Sequence, residues 1–135
     1  MPIELTNPDG LAEPQGFAHV GVARGSRIVF LAGQTAEDAD GNIVGEGDLA
    51  KQAEQALVNV HTALAAAGAS FADVAKVVIY VVDWDQSKLE QLLAGVGAAA
   101  ARLGIDPTRP ATLVGVTSLF RPEHLIEIDA TAVLD

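Results

Sequence analysis

The chain has 135 residues, half of them hydrophobic, so it is long enough for one domain with a substantial core and too short for two. Its 18 acidic and 8 basic side chains give a formal net charge of −10, which repels phosphate backbones and anionic membrane surfaces, so we expect neither a nucleic-acid nor a membrane partner. The absence of cysteine excludes disulfides, thiolate nucleophiles and cysteine-ligated metal sites.

Metals, membrane spans and export are also disfavoured by the sequence. His19, His61 and His124 are far apart and lack the short ligand spacing of a typical metal site, so we expect no metal and no other cofactor. The apolar runs are much shorter than the roughly 20 residues that a bilayer span needs. The N-terminus lacks the basic and apolar regions of a secretory signal, so we expect a cytoplasmic protein.

The first predicted elements are two strands followed by a loop. The run 28–31 is short, β-branched and aromatic and is bounded by glycines, which predicts a strand over 27–32. We expect residues 17–23 to form its hairpin partner. The segment 37–47 is polar and rich in glycine, which predicts a loop.

Two amphipathic helices with a strand between them come next. Apolar residues recur at steps of three and four over 49–67 and over 89–103, and Gly68 and Gly104 are placed to end these helices. Between them, the run 74–82 is apolar on both alternating faces, which is typical of a central strand.

The last predicted elements are strands over 111–119 and 125–134, which we expect to pair with each other. The element order is therefore ββαβαββ, which predicts an α+β fold with a mixed sheet and both helices on one face. The other face would expose branched apolar side chains, an unusual patch for a monomer. We therefore expect this face to be buried against further copies of the chain.

Four segments resemble the RidA/YjgF family in their order and spacing. They are Phe-Leu-Ala-Gly-Gln (30–34), Asp-Val-Ala-Lys-Val (73–77), Arg-Pro-Ala-Thr-Leu-Val-Gly-Val (109–116) and Ile-Glu-Ile-Asp-Ala (126–130). The resemblance covers nearly the whole chain. It implies a chorismate-mutase-like fold, a homotrimer whose sheets face a central barrel, and small-molecule clefts at the subunit interfaces.

The resemblance also implies the residues that handle the reaction. In the family's deaminases, an arginine binds the carboxylate of a 2-imino or 2-enamino acid through its guanidinium fork, and a glutamate positions or activates water. Glu127 matches the glutamate and is the candidate catalytic residue. Counted back from 114–116, the arginine position falls on Ala111, so the carboxylate clamp is missing. Arg109, two residues upstream, is the candidate for a displaced clamp.

Three more residues complete the predicted substrate-binding set. Phe17 matches an aromatic residue near the family's N-terminus, with His19 as a rival, and Gly33 matches a glycine whose backbone lines the cleft. Gly33 and His19 also have a structural interpretation, because a glycine can simply end a strand and a histidine can simply belong to a hairpin. Asp129 shares a strand face with Glu127 at a distance of about 7 Å. It is either a second carboxylate of the site or part of a solvated strand face.

Two classes of function remain open at this stage. The first is a small-molecule protein of the family's arginine-lacking branch, which hydrolyses or binds an imine, an enamine or another small carbonyl compound, with efficient 2-imino acid deamination in doubt. The second is a non-catalytic trimer that acts as a ligand sensor or holdase-like stabiliser. A ribonuclease, which an old name of the family suggests, conflicts with the acidic charge.

Overall fold

The computed structural model describes residues 3–135, with two helices on one face of a four-stranded sheet and a separate two-stranded ribbon. The strands are β1 (Ile3–Thr6), β2 (Val20–Ala23), β3 (Arg27–Phe30), β4 (Val74–Val82), β5 (Ala111–Val116) and β6 (Ile126–Leu134), and the helices are α1 (Leu49–Ala66) and α2 (Leu89–Leu103). The predicted α+β class and mixed sheet are confirmed, and β1 is an additional strand that the sequence pattern did not indicate.

The order of strands in the main sheet is β3-β6-β4-β5. β4 and β5 run parallel, and the other neighbours run antiparallel. The prediction that the last two strands pair with each other is wrong, because β4 lies between them. β5 follows β4 through the crossover helix α2, and β6 then returns on the other side of β4, where both of its edges find hydrogen-bonding partners.

The predicted hairpin between residues 17–23 and 27–32 is also wrong. β2 pairs with β1, and β3 pairs with β6. The segment before β2 bridges the start of β5, so the chain crosses one end of the sheet before it enters β3. At the end of this crossing, a Cβ atom on Gly25 would lie 2.6 Å from the carbonyl oxygen of Leu134, so the close approach of the two backbones requires glycine.

The hydrophobic core lies between the helices and one face of the sheet. Alternate residues of β6, from Ile126 to Leu134, are buried on this face, whereas the residues between them are only partly buried. The largest fully buried apolar side chains are Val60, Leu64, Val74, Val81, Ile126 and Ile128. Each such side chain contributes about 1.5–3 kcal/mol on leaving water, so this side of the sheet holds most of the stabilising burial.

The other face of the sheet, here called the open face, is uncovered within the described chain. By the strand register it consists of Ile28 and Phe30 on β3, Lys76, Val78, Tyr80 and Val82 on β4, Thr112, Val114 and Val116 on β5, and Glu127, Asp129, Thr131 and Val133 on β6. Ile28, Phe30 and Val114 are 59%, 76% and 37% exposed. The bare apolar face inferred from the sequence is therefore present in the fold.

The two helices touch through their backbones at a glycine. A Cβ atom on Gly95 would overlap the carbonyl oxygen of Ala50 and would lie 2.7 Å from the Cβ atom of Ala53, whereas one on Gly97 would meet open space. Among residues 3–135, neither helix has the length and apolar character that crossing a bilayer requires.

Substitution of these two glycines is expected to have opposite effects on stability. Gly95→Ala should lower the free energy of unfolding by about 1–3 kcal/mol, because the added methyl group overpacks the helix contact. Gly97→Ala should raise it by about 0.5–1 kcal/mol, because alanine restricts the unfolded chain and no neighbour obstructs it. Urea denaturation of both variants tests this, and effects of the same sign would contradict the described contact.

Candidate functional site

The candidate site is centred on the carboxylate of Glu127, near the start of β6. On the open face, Glu127 stands opposite Tyr80 of β4. On its other side it lies directly over Gly33, where a Cβ atom would overlap the carboxylate and would lie 2.7 Å from its Cδ atom. The structure thus brings together two of the residues that the sequence analysis selected, and only glycine at position 33 leaves room for this arrangement.

Gly33 is held beside Glu127 by irregular pairing that continues after β3. Gln34 and Ile128 exchange two backbone hydrogen bonds of 2.8 and 2.9 Å, and the Leu31 N–H donates to the carbonyl of Ala130. The residues on either side of Gly33 and of Glu127 are therefore tied to each other. The contact between the glycine and the carboxylate follows from this register.

Glu37 joins the loop that follows Gly33 to the loop that precedes β6. Its Oε2 atom accepts a hydrogen bond from the Thr35 hydroxyl and lies 2.7 Å from Nε2 of the buried His124. Its Oε1 atom lies 3.8 Å from the guanidinium of Arg121. These contacts cross between the two segments that carry Gly33 and Glu127, so they help to position the site.

Gln52 of α1 is a positioning residue that the sequence analysis missed. Its buried amide donates to the carbonyls of Glu123 and Gly45 at 2.9 and 3.1 Å, and its Oε1 atom accepts the N–H of Leu125 at 2.9 Å. It thereby satisfies backbone groups just before β6 that would otherwise be buried without partners. The available signal was a polar residue three positions after Leu49, on the apolar stripe of the helix.

Ala111 does not share the open face with Glu127. It pairs with Val77, and its side chain lines an apolar pocket between the sheet and the helices. The neighbouring residue on the open face is Thr112, which pairs with Val78. A shift of one residue turns a strand side chain to the opposite face, so the counted arginine position faces away from Glu127, whereas Thr112 shares its face.

The cation of the open face is the ammonium group of Lys76, which Thr112 holds in place. The Lys76 Nζ atom donates a hydrogen bond of 2.9 Å to the hydroxyl of Thr112. Of the strand positions that make up the open face in the described chain, Lys76 is the one lysine or arginine. Asp129 lies between the levels of Lys76 and Glu127, as the strand alternation predicted. The face therefore combines two carboxylates and one ammonium group with exposed apolar residues.

Arg109 lies on the helix side of the sheet, away from Glu127. It is 8% exposed, and its Cζ atom lies 6.0 Å from the centre of the Phe71 ring. It follows that Arg109 does not replace the missing clamp beside Glu127 within one subunit.

Phe17 and His19 form a separate pair at the start of β5. Their rings meet edge to face with centroids 5.1 Å apart, and Ala18 between them bridges Pro110. This pair lies outside β5, four residues and three strands away from the level of Glu127, a separation of roughly 20 Å. A cleft that contains both Phe17 and Glu127 therefore needs two copies of the chain.

The three histidines occupy different parts of the fold. The ring Nε2 atom of His19 lies 2.7 Å from the carbonyl oxygen of Ala12, His61 lies on α1, and His124 precedes β6. Within residues 3–135, no group of three His, Asp or Glu side chains is close enough to hold a metal ion.

The chain is similar to known proteins over nearly its whole length. The family model described as Endoribonuclease L-PSP matches residues 11–134. The 3-aminoacrylate deaminase RutC of Acinetobacter baylyi is 29% identical over 133 residues, which are 98% of each chain. A RutC family protein of Pyrococcus horikoshii is 31% identical over 110 residues, or 81% of each chain. The crystal structure of YyfB from Yersinia pestis, a Rid family protein of unknown function, is 37% identical with a TM-score of 0.87 and covers 99% of this chain and 100% of that one.

Proposed function

Because the chain belongs to the RidA/YjgF family, we propose that it binds and hydrolyses a small imine or enamine in clefts between the subunits of a homotrimer. The observation that carries the proposal is the carboxylate of Glu127 seated over Gly33 on the open face. The similarity to a 3-aminoacrylate deaminase supports the substrate class, because 3-aminoacrylate is a small enamine.

Glu127 supplies the acid–base chemistry that this reaction needs. Its carboxylate accepts a proton from a water molecule, and the water oxygen adds to the imine carbon. The proton passes to the nitrogen and gives a carbinolamine. A second proton then moves from its hydroxyl group to the amino group, the carbon–nitrogen bond breaks, and ammonia leaves a carbonyl compound. An enamine first takes a proton on carbon and loses one from nitrogen to become the imine. A positioned acid–base group of this kind contributes about 10²–10⁴-fold to the rate.

The charge of the open face bears on which imines the protein prefers. The ammonium of Lys76, held by Thr112, is a point charge without the fork that an arginine offers to a carboxylate. A charged hydrogen bond of the missing kind contributes about 1.5–3 kcal/mol. We therefore infer that 2-imino acids are poor substrates. Binding of neutral imines, which have no carboxylate, is weakened less by the missing arginine.

Self-association, which the proposed homotrimer requires, is supported by two independent features of the fold. Apolar residues on the open face, such as Ile28 and Phe30, are mostly exposed in the single chain. An exposed apolar patch of this kind is typical of a subunit interface. In addition, Phe17 lies too far from Glu127 to join the same cleft within one chain, and a neighbouring subunit can supply it.

A charge placed on the open face is expected to dissociate the trimer. Phe30→Lys should yield monomers, because the interface would bury an unpaired ammonium group. Leu93→Lys is the matched control, since Leu93 is 50% exposed on α2, on the opposite side of the sheet, and should leave the trimer intact. Sedimentation velocity distinguishes the two results. A monomeric wild type, or a trimer in both variants, would contradict burial of the open face.

The family model's description names an endoribonuclease, but RNA cleavage is not part of this proposal. The net charge of −10 opposes binding of a phosphate backbone. The open face offers one lysine beside two carboxylates, which is not a basic surface for a nucleic acid.

The direct test is hydrolysis of imines that are generated in the assay. An amino-acid oxidase supplies 2-imino acids and an amine oxidase supplies neutral imines, and the release of ammonia is followed with and without the protein. We expect acceleration over buffer, with a larger factor for the neutral imines. If no imine or enamine is hydrolysed faster than in buffer, the hydrolytic proposal fails and a non-catalytic ligand-binding trimer is the remaining function.

A further inference from the structure

A second cavity lies on the helix side of the sheet, away from Glu127. Its volume is about 260 Å³, and it borders α1, the end of α2 and the short turn before β4. The polar side chains that line it include His61, Ser70, Asp106 and Arg109. The imine chemistry proposed above uses none of these residues.

Arg109 is a buried cation without a partner. It is 8% exposed, its Nε atom is buried, and no hydrogen bond or ion pair reaches its guanidinium from the described residues. Every other lysine and arginine has a hydrogen bond or an ion pair within residues 3–135, namely Arg24, Arg27, Lys51, Lys76, Lys88, Arg102 and Arg121. A buried charge is costly unless an opposite charge compensates it, so the surroundings of Arg109 favour an anion.

No carboxylate among the described residues lies within ion-pair distance of the guanidinium of Arg109. Phe71 offers the face of a ring 6.0 Å from the Cζ atom, which attracts a cation but accepts no strong hydrogen bond. Asp106 lines the same cavity, but it forms no ion pair with Arg109, and its Oδ1 atom accepts the backbone N–H of Thr108 at 2.9 Å. This hydrogen bond is the main cause of the lowered pKa of Asp106, and the charge of Arg109 is the smallest of the causes.

His61, which also lines this cavity, carries a second unsatisfied polar atom. Its Nδ1 atom is buried and has no hydrogen-bond partner among the described residues. Buried polar atoms of this kind are rare in folded proteins, and a bound molecule is one common reason for them. The two residues that carry such atoms, His61 at Nδ1 and Arg109 at Nε, therefore line the same cavity.

We propose that this cavity binds a small oxyanion, a carboxylate or phosphate group, through the guanidinium of Arg109 with His61 as a second donor. The planar fork of an arginine matches two oxygens of either group. A cavity of about 260 Å³ admits a small metabolite and not an extended polymer. The site lies across the sheet from Glu127, so it does not depend on the proposed hydrolysis.

The test uses inorganic phosphate and acetate as probes, titrated separately into the wild-type protein at constant ionic strength. Calorimetry measures the affinity, and NMR follows the Nε–H resonance of Arg109. We expect saturable binding of at least one probe with a shift of that resonance, and the stronger probe identifies the group. An anion that binds without moving the resonance, or no saturable binding of either probe, would overturn the proposal.

Two charge-removing variants localise the binding. Arg109→Met should weaken it at least about tenfold, because a hydrogen bond to a charged group is lost. Arg102→Met removes the same charge from an exposed pair with Glu54 and should change the affinity less than about twofold. Equal losses in the two variants would show that only the net charge matters, which would refute a specific site.

A third variant keeps the buried arginine and so tests the site even if Arg109→Met does not fold. Ala72 is exposed and borders the cavity, so Ala72→Glu can bring its own carboxylate to the guanidinium. It should abolish binding of the added anion and raise the thermal midpoint. An unchanged affinity in Ala72→Glu would place the anion elsewhere. The rate of imine hydrolysis should stay at the wild-type value, which separates this site from that of Glu127.

Discussion

Glu127→Gln is expected to slow imine hydrolysis at least about 100-fold while the trimer and its thermal stability stay unchanged. Glutamine keeps the size and polarity of the side chain over Gly33, but it cannot take a proton from water, so the acid–base contribution is lost. The measurement is kcat/KM for ammonia release from the imine that the wild type hydrolyses best, with sedimentation and thermal melting as checks on the fold.

Asp129→Asn is the matched control for this variant. Asp129 lies on the same strand and the same face as Glu127, two residues along β6, and the substitution removes the same charge. We expect its effect on kcat/KM to be less than about threefold, because the carboxylate seated over Gly33 is that of Glu127. Comparable losses of kcat/KM in both variants would indicate that the two carboxylates act together in the reaction. Full activity of Glu127→Gln would refute the site assignment.

Thr112→Arg is expected to raise kcat/KM for 2-imino acids by about 10–100-fold. The substitution places a guanidinium on the open face, where it can hold the substrate carboxylate with two hydrogen bonds that the ammonium of Lys76 cannot match. The gain should be confined to imines that carry a carboxylate. Parallel assays with a neutral imine therefore separate improved anion binding from a general effect on the protein.

Ala111→Arg is the control that tests the register of β5. Position 111 faces an apolar pocket between the sheet and the helices, so an arginine there would bury an unpaired charge. We expect a loss of about 3–5 kcal/mol in the free energy of unfolding and no gain in turnover. If Ala111→Arg raised turnover while Thr112→Arg had no effect, the assignment of the two residues to opposite faces would be wrong.

The helices and the long strands of this fold were predictable from local patterns. Apolar residues recur at steps of three and four in α1 and α2 and alternate with polar ones in β6, and each pattern lies within one continuous segment. The structure places these elements close to the predicted bounds. The resemblance of short segments to the RidA/YjgF family was confirmed by similarity along nearly the whole chain. The meeting of Glu127 and Gly33 followed from that resemblance.

The partners of the strands were not predictable in the same way. The sequence indicated that β5 and β6 are strands, but β6 pairs with β3 and β4, and β2 pairs with β1. Pairing depends on contacts between residues far apart in sequence, such as those that join β6 to β3 and β4. The role of Gln52 was hidden for the same reason, because its partners lie up to 73 residues away.

The sequence by itself determined the class of fold, the family and an acid at position 127 beside a glycine. Only the tertiary structure decided that Thr112 and not Ala111 shares the open face with that acid, and that Arg109 belongs to a different cavity. The physical reason is the two-residue period of a strand: one residue of register exchanges the two faces of a sheet, and the register is set by long-range pairing that no local pattern contains.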